Sequence, residues 1–184
     1  MKYKLIAFDW DGTLVDSVDH IVDSLKYAAK QMSLEVLADE RFRSIIGLGM
    51  VEAIKTLYST IDDKGIDVFR AHYSDAFFAT EVGVGHLFPN VERLLGQLSS
   101  EGVLLTVATG KSRRGLDIAL ETTGLKSFFN YERCADETRS KPHPMMLNQI
   151  MSKFNVQPHE MLMVGDTDFD MEMAQRAGGE RIGV

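Results

Sequence analysis

The sequence predicts an α/β fold: a Rossmann-like parallel sheet flanked by helices, with an α-helical cap inserted after the first strand. Three observations carry that prediction. Short, mainly apolar runs recur at residues 5–8, 103–108 and 161–165, the pattern of strands buried on both faces of a parallel sheet. From Phe88 onward such runs alternate with stretches of 3.6-residue apolar periodicity, which implies parallel pairing through right-handed crossovers. Residues 16–81, in contrast, show helical periodicity and no convincing strand.

Each element has its own signal. The first strand, residues 5–8, runs into Asp9-Trp10-Asp11-Gly12-Thr13. Ser17 is placed to cap a helix with Ile21, Leu25, Ala28 and Met32 on one face. A short helix over 38–45 is broken by Gly47-Leu48-Gly49. A third helix shows Met50, Ile54 and Leu57, and a fourth Ile66, Phe69, Tyr73 and Phe77. Gly83-Val84-Gly85 reads as a hinge or linker. The expected division is therefore an α/β core of residues 1–15 and 84–184, and a helical cap of residues 16–83. Pro89 opens a helix with Val91, Leu94, Leu95 and Leu98 inward. The strand at 103–108 ends at Thr109. The next helix, from about Ser112, stops at Gly124. A weaker strand lies near 131–135. The loop Lys141-Pro142-His143-Pro144 leads into a helix carrying Met146, Ile150, Met151 and Phe154. The strand at 161–165 ends at Asp166. A helix with Phe169, Met173 and Ala177 follows and stops at Gly178-Gly179, and residues 181–184 begin a last strand.

Composition narrows the function. A chain of 184 residues with 45% hydrophobic and 26% charged content is globular. Its net charge of −7 argues against nucleic acid and anionic membranes as partners. A single cysteine, Cys134, allows no internal disulfide and suits a reducing compartment. No secretory apolar region and no membrane-length apolar stretch is present. A cytoplasmic protein, monomer or weak homodimer, is expected.

In open α/β sheets ligands bind at the carboxyl ends of the strands. The residues predicted there are Asp9, Thr109 and Asp166, with Lys141 in a loop at the same end. Asp9 and Asp11 are two apart, so at a strand end both can address one small volume. Two such acids repel unless a cation or a proton lies between them. Acids, a hydroxyl and an amine together suit Mg²⁺ and a phosphoryl group. Thr109 and the Gly110 N–H, ahead of a helix, can hold phosphate oxygens, and Lys141 can offset charge as phosphate nears a carboxylate.

The sequence resembles the haloacid-dehalogenase-like superfamily of phosphohydrolases, nearest to its phosphoglycolate-phosphatase-like members. Asp9-Trp10-Asp11-Gly12-Thr13 matches the first motif of that family. Thr109-Gly110 matches the second, Lys141-Pro142 the third, and Gly165-Asp166-Thr167 with Asp170 the fourth, all in order. The helical block falls where the family's small cap is inserted. The resemblance implies Asp9 as a nucleophile forming a phosphoaspartate, and Asp11 as general acid and then base. It implies Mg²⁺ held by Asp9, the Asp11 backbone carbonyl and Asp166, with Asp170 in support. It implies phosphoryl binding by Thr109, Gly110 and Lys141, and the substrate it implies is a small phosphorylated metabolite. The chain departs from the family in two places. Gly110 stands where many members have asparagine, which keeps the backbone donor and loses an amide. Members also usually continue past the segment matching residues 181–184, so a shortened C-terminus is expected.

Other residues carry weaker signals. The Trp10 side chain should point away from the two aspartates and pack, while its backbone N–H is a candidate phosphate contact. Arg43, ahead of the Gly47-Leu48-Gly49 break, is either a substrate contact from the cap or a surface arginine paired with Asp39 or Glu40. The five histidines show no metal-ligand spacing, although His143 lies close to Lys141. Lys111, Arg113 and Arg114 read as a solvated helix start. Two alternatives to a phosphatase stay open: a phosphosugar mutase of the same superfamily, and a receiver-like phosphoacceptor that gathers the same groups around Mg²⁺.

Overall fold

A computed structural model describes residues 2–79 and 86–184. The expected hinge Gly83-Val84-Gly85 lies outside the described residues. Five parallel strands form one sheet in the order β3-β2-β1-β4-β5: β1 (Leu5–Phe8), β2 (Leu104–Thr109), β3 (Tyr131–Cys134), β4 (Met161–Gly165) and β5 (Glu180–Gly183). The all-apolar run of β1 is explained by its central place. Phe8 pairs with Val107 on one side and Val164 on the other, and helices cover both faces. On one face Ile6, Phe8, Leu105 and Val107 pack with Leu95 and Leu116. These come from α5 (Val91–Ser100) and α6 (Arg113–Thr123). On the other face Leu5, Ala7 and Met163 pack with Leu147 and Met173, from α7 (Met145–Phe154) and α8 (Asp168–Arg176). The chain leaves β1 to build β2 and β3 on one side and returns to build β4 and β5 on the other. This places a switch in strand order beside β1, where α/β sheets form ligand crevices.

Four helices follow β1: α1 (Val18–Gln31), α2 (Asp39–Arg43), α3 (Met50–Leu57) and α4 (Asp63–Phe78). Their apolar faces meet in a cluster of their own that includes Leu25, Phe42, Ile54 and Phe69. The second helix is shorter than its apolar pattern suggests, because Ser44 to Gly47 close as turns ahead of Leu48. Ser17 differs from its expected role. It precedes α1, but its hydroxyl makes no cap bond there and instead donates to Asp11. Among the described residues no helix is long and apolar enough to cross a membrane.

Candidate active site

The carboxyl ends of β1, β2 and β4 deliver Asp9, Thr109 and Asp166 to one place. Asp9 continues β1, its N–H donating to the Val164 carbonyl (2.9 Å). The chain then turns sharply. The N–H groups of Thr13, Leu14 and Val15 all donate to the Trp10 carbonyl, and Gly12 takes φ +81°. A Cβ at Gly12 would fall 2.2 Å from Asp166 Oδ2, so only glycine admits both this backbone and the approach of β4. Thr13 Oγ1 donates to Asp166 Oδ1 at 2.8 Å, which ties the two strand ends together. The Trp10 side chain is buried on the α5–α6 side, its ring 6.2 Å from that of Phe129.

Lys141 is fully buried. Its Nζ lies 2.7 Å from Asp9 Oδ1 and 2.6 Å from Asp170 Oδ1. Among the described residues both Asp9 oxygens and Asp170 Oδ1 are buried without a hydrogen-bond partner. Asp170 has two jobs. Its Oδ2 accepts from the N–H and hydroxyl of Thr167 in a capping box that starts α8, while Oδ1 faces Lys141. An acid favourable at a helix N-terminus and an acid of the site are thus one residue.

Asp9, Asp166 and Asp170 each offer an oxygen within 4.8 Å of the others. Among the described residues three carboxylates thus face the one ammonium of Lys141, an excess of acidic groups at this place. Hard oxygen donors of this kind suit Mg²⁺, so the donor set and its charge fit a divalent cation. Electrostatics agree. Burial pushes the Asp9 carboxyl up to about 8; Lys141 opposes that rise and Asp170 adds to it. Burial disfavours the Lys141 ammonium, but the Asp170 and Asp9 carboxylates more than compensate and hold it charged. Burial also raises Asp166, against its bond from Thr13. The Asp11 side chain is not part of this acidic group.

Asp11 looks the other way. Both of its carboxylate oxygens accept from Lys111 Nζ at 2.9 Å, and Oδ1 accepts from Ser17 Oγ at 2.5 Å. Lys111 was expected at a solvated helix start. Its side chain is only 9% exposed, and its ammonium lies 4.8 Å from the centre of the Phe77 ring on α4. It lies in the loop between β2 and α6, so the turn that presents Thr109 also turns Lys111 inward. The Lys111 N–H donates to Thr109 Oγ1 (3.1 Å), which leaves the hydroxyl hydrogen of Thr109 to another acceptor. Position two after a strand-end threonine was the available signal.

A cavity of about 130 Å³ opens between these groups and the cap, lined on the core side by Asp9, Asp11, Thr109, Gly110 and Lys111. From α4 it receives Arg70, Tyr73 and Phe77, which sequence reasoning assigned to packing or passed over. Burial and nearby Asp11 hold the Tyr73 phenol neutral. Leu48 closes another side. Gly110 explains its own departure from asparagine: a Cβ there would lie 2.6 Å from the Leu48 carbonyl oxygen and 2.7 Å from that of Gly47. Gly49 N–H donates to Ser140 Oγ (2.7 Å), beside Lys141. Arg43 does not line the cavity. Its guanidinium pairs with Asp19 on α1, while Asp39 is taken by Lys26 (2.6 Å); the end of α2 faces α1 rather than the core.

The family model for haloacid dehalogenase-like hydrolases matches residues 6–184. A phosphoglycolate phosphatase of Vibrio vulnificus is 33% identical over 191 residues, covering 100% of this chain and 84% of its own. The pyrophosphatase PpaX of Oceanobacillus iheyensis is 31% identical over 96% of this chain and 81% of its own. The crystal structure of a predicted phosphoglycolate phosphatase from Haemophilus somnus superposes with a TM-score of 0.87 at 26% identity, covering 100% of this chain and 85% of that one.

Proposed function

The chain belongs to the haloacid dehalogenase-like hydrolases, as a phosphoric monoester hydrolase, and from that premise we propose a Mg²⁺-dependent phosphatase that works through a phosphoaspartate on Asp9. One observation carries the reading. Asp9 is a buried strand-end carboxylate that lines the cavity, its Oδ1 ion-paired with Lys141 and its Oδ2 buried without a partner among the described residues. Asp9, Asp166, the Asp11 carbonyl and Asp170 would hold the ion. Bound there, Mg²⁺ would offset the charge of the carboxylates and the phosphate, without which a carboxylate cannot approach a dianion.

The chain's own groups supply the rest. Thr109, the Gly110 N–H and Lys141 hold the phosphoryl oxygens, with the Trp10 N–H as a further donor. An Asp9 oxygen attacks phosphorus as the bond to the leaving oxygen breaks, and Asp11 gives that oxygen its proton. Asp11 then takes a proton from water as the water oxygen attacks phosphorus. The bond to Asp9 breaks, and inorganic phosphate leaves. The substrate is a small phosphorylated metabolite of the phosphoglycolate or sugar phosphate type, and the relatives named phosphoglycolate phosphatase support phosphoglycolate as the first candidate. A soluble metabolite and a buried free Cys134 fit the cytoplasm. The test is a screen of phosphorylated metabolites with Mg²⁺. Asp9→Asn should abolish phosphate release while the chain still melts cooperatively; turnover retained by that variant sinks the assignment.

A further inference from the structure

We propose that Lys111 is the residue that reads the leaving group: its ammonium donates to a carboxylate on the substrate's alcohol in exchange for the carboxylate of Asp11. The inference rests on the phosphatase reading and names the substrate class of that site as phosphomonoesters of hydroxy acids.

The argument starts from where the Asp11 oxygens are. Both are bound to Lys111, and Ser17 adds a third bond. To reach the leaving oxygen, the Asp11 carboxyl group must turn away from the ammonium. Among the described residues Lys111 then keeps no carboxylate partner, and the face of Phe77 on its cap side can offset only part of a charge. Stranding a buried charge in this way is costly. A carboxylate on the departing alcohol removes the cost, since it occupies the ammonium as Asp11 vacates it. An alcohol with a neutral group in the same place does not.

The geometry suits the exchange. The same cavity is lined by Asp9 and Thr109, which take the phosphoryl end, by Lys111, and by the apolar residues Ile21, Leu25 and Phe77. A leaving group seated in this cavity therefore shares it with Lys111, whose Nζ lies 2.9 Å from the Asp11 carboxylate. Charge-assisted bonds of this kind are worth about 10- to 100-fold in discrimination.

The experiment compares two nearly isosteric esters with Mg²⁺, 2-phosphoglycolate and 2-hydroxyethyl phosphate, in the native chain, Lys111→Met and Lys111→Arg. The native chain should favour the carboxylate by about 10- to 100-fold in kcat/KM. Lys111→Met should bring that ratio close to one, and Lys111→Arg should retain part of it, with KM for phosphoglycolate carrying most of the change. Equal loss on both esters in Lys111→Met, with the native ratio preserved, overturns the proposal, because Lys111 then only positions Asp11. So does a native chain without preference between the two. If the native chain hydrolyses other phosphomonoesters, and Asp9→Asn does not, those results refute this inference and leave the phosphatase reading standing. If the native chain hydrolyses no phosphomonoester at all, the phosphatase reading has failed and this inference with it.

Discussion

Replacing Gly110 by alanine adds one methyl group where the cap loop rests on the core. The added carbon would meet the Leu48 carbonyl oxygen at 2.6 Å, the Gly47 carbonyl oxygen at 2.7 Å and the Gly47 carbonyl carbon at 2.9 Å. Gly110 has no left-handed φ, so alanine brings no backbone strain and the contact acts alone. All three atoms are main chain, and no flexible side chain can swing aside. To restore ordinary contact the loop must withdraw by roughly 0.8 Å, far more than close-packed surfaces absorb without rearranging. Two outcomes compete. If the cap stays down, overpacking costs about 1–3 kcal/mol. If it lifts, stability changes little, but the groups above the proposed phosphoryl site move away. The second should win, because the cap helices have a core of their own and the loop is held to this region by single contacts such as Gly49 to Ser140. A misplacement near 1 Å can cost about 100-fold in rate. Gly110→Ala should therefore lower kcat/KM by about 10- to 100-fold with less than about 1 kcal/mol lost in urea unfolding. Gly110→Asn, the residue common in the family, should do worse here. Steady-state kinetics beside a urea melt decide the matter. A variant within twofold of the native kcat/KM, with unchanged unfolding, would refute a cap loop seated on Gly110.

Further outcomes follow from the buried charges. Lys141→Met strands the Asp9 and Asp170 carboxylates and should cost about 3–5 kcal/mol in metal-free urea unfolding; a loss below about 1 kcal/mol would mean that water already reaches the pair. Asp9 has a folded carboxyl near 8 against a usual 3.8, so the folded state binds the extra proton. The stability it contributes is full below the usual value and disappears as pH rises toward 8. The metal-free melting temperature should accordingly fall between pH 5 and pH 8, and added Mg²⁺ should raise it more at pH 8 than at pH 6; equal shifts would contradict the charge count. Asp170→Asn can keep the Thr167 cap while losing the charge, whereas Asp170→Ala loses both. The alanine variant should be less stable by roughly 1 kcal/mol more, and phosphate release should fall in both; equal stability would deny the capping role.

What the sequence made legible, and what it did not, divides along one physical line. Asp9, Thr109 and Asp166 could be placed because buried parallel strands announce themselves as apolar runs, and the residue ending each run must lie at the ligand-binding edge of the sheet. The sheet, the helices and the separate apolar faces of the cap followed from the same periodicities. Lys111, Ser17, Gly110 and Arg43 were harder because local pattern speaks only of neighbours along the chain. Ser17 sits where a helix cap belongs, and its hydroxyl was claimed by Asp11, six positions earlier. Lys111 sits where solvated charge is ordinary, and its place is decided by Asp11 and by Phe77. Arg43 ends on α1 with Asp19 because the cap packs that end of α2 away from the core. Gly110 lacks a side chain because of two carbonyls on a loop more than sixty residues away in sequence. Gly110 and Lys111 are adjacent, and each departs from its local reading through a contact with the cap. The cap thus fixes the residues beside Thr109 as firmly as the strand does, which is why a substitution at either position should be read first in substrate selection or turnover, and only second in folding.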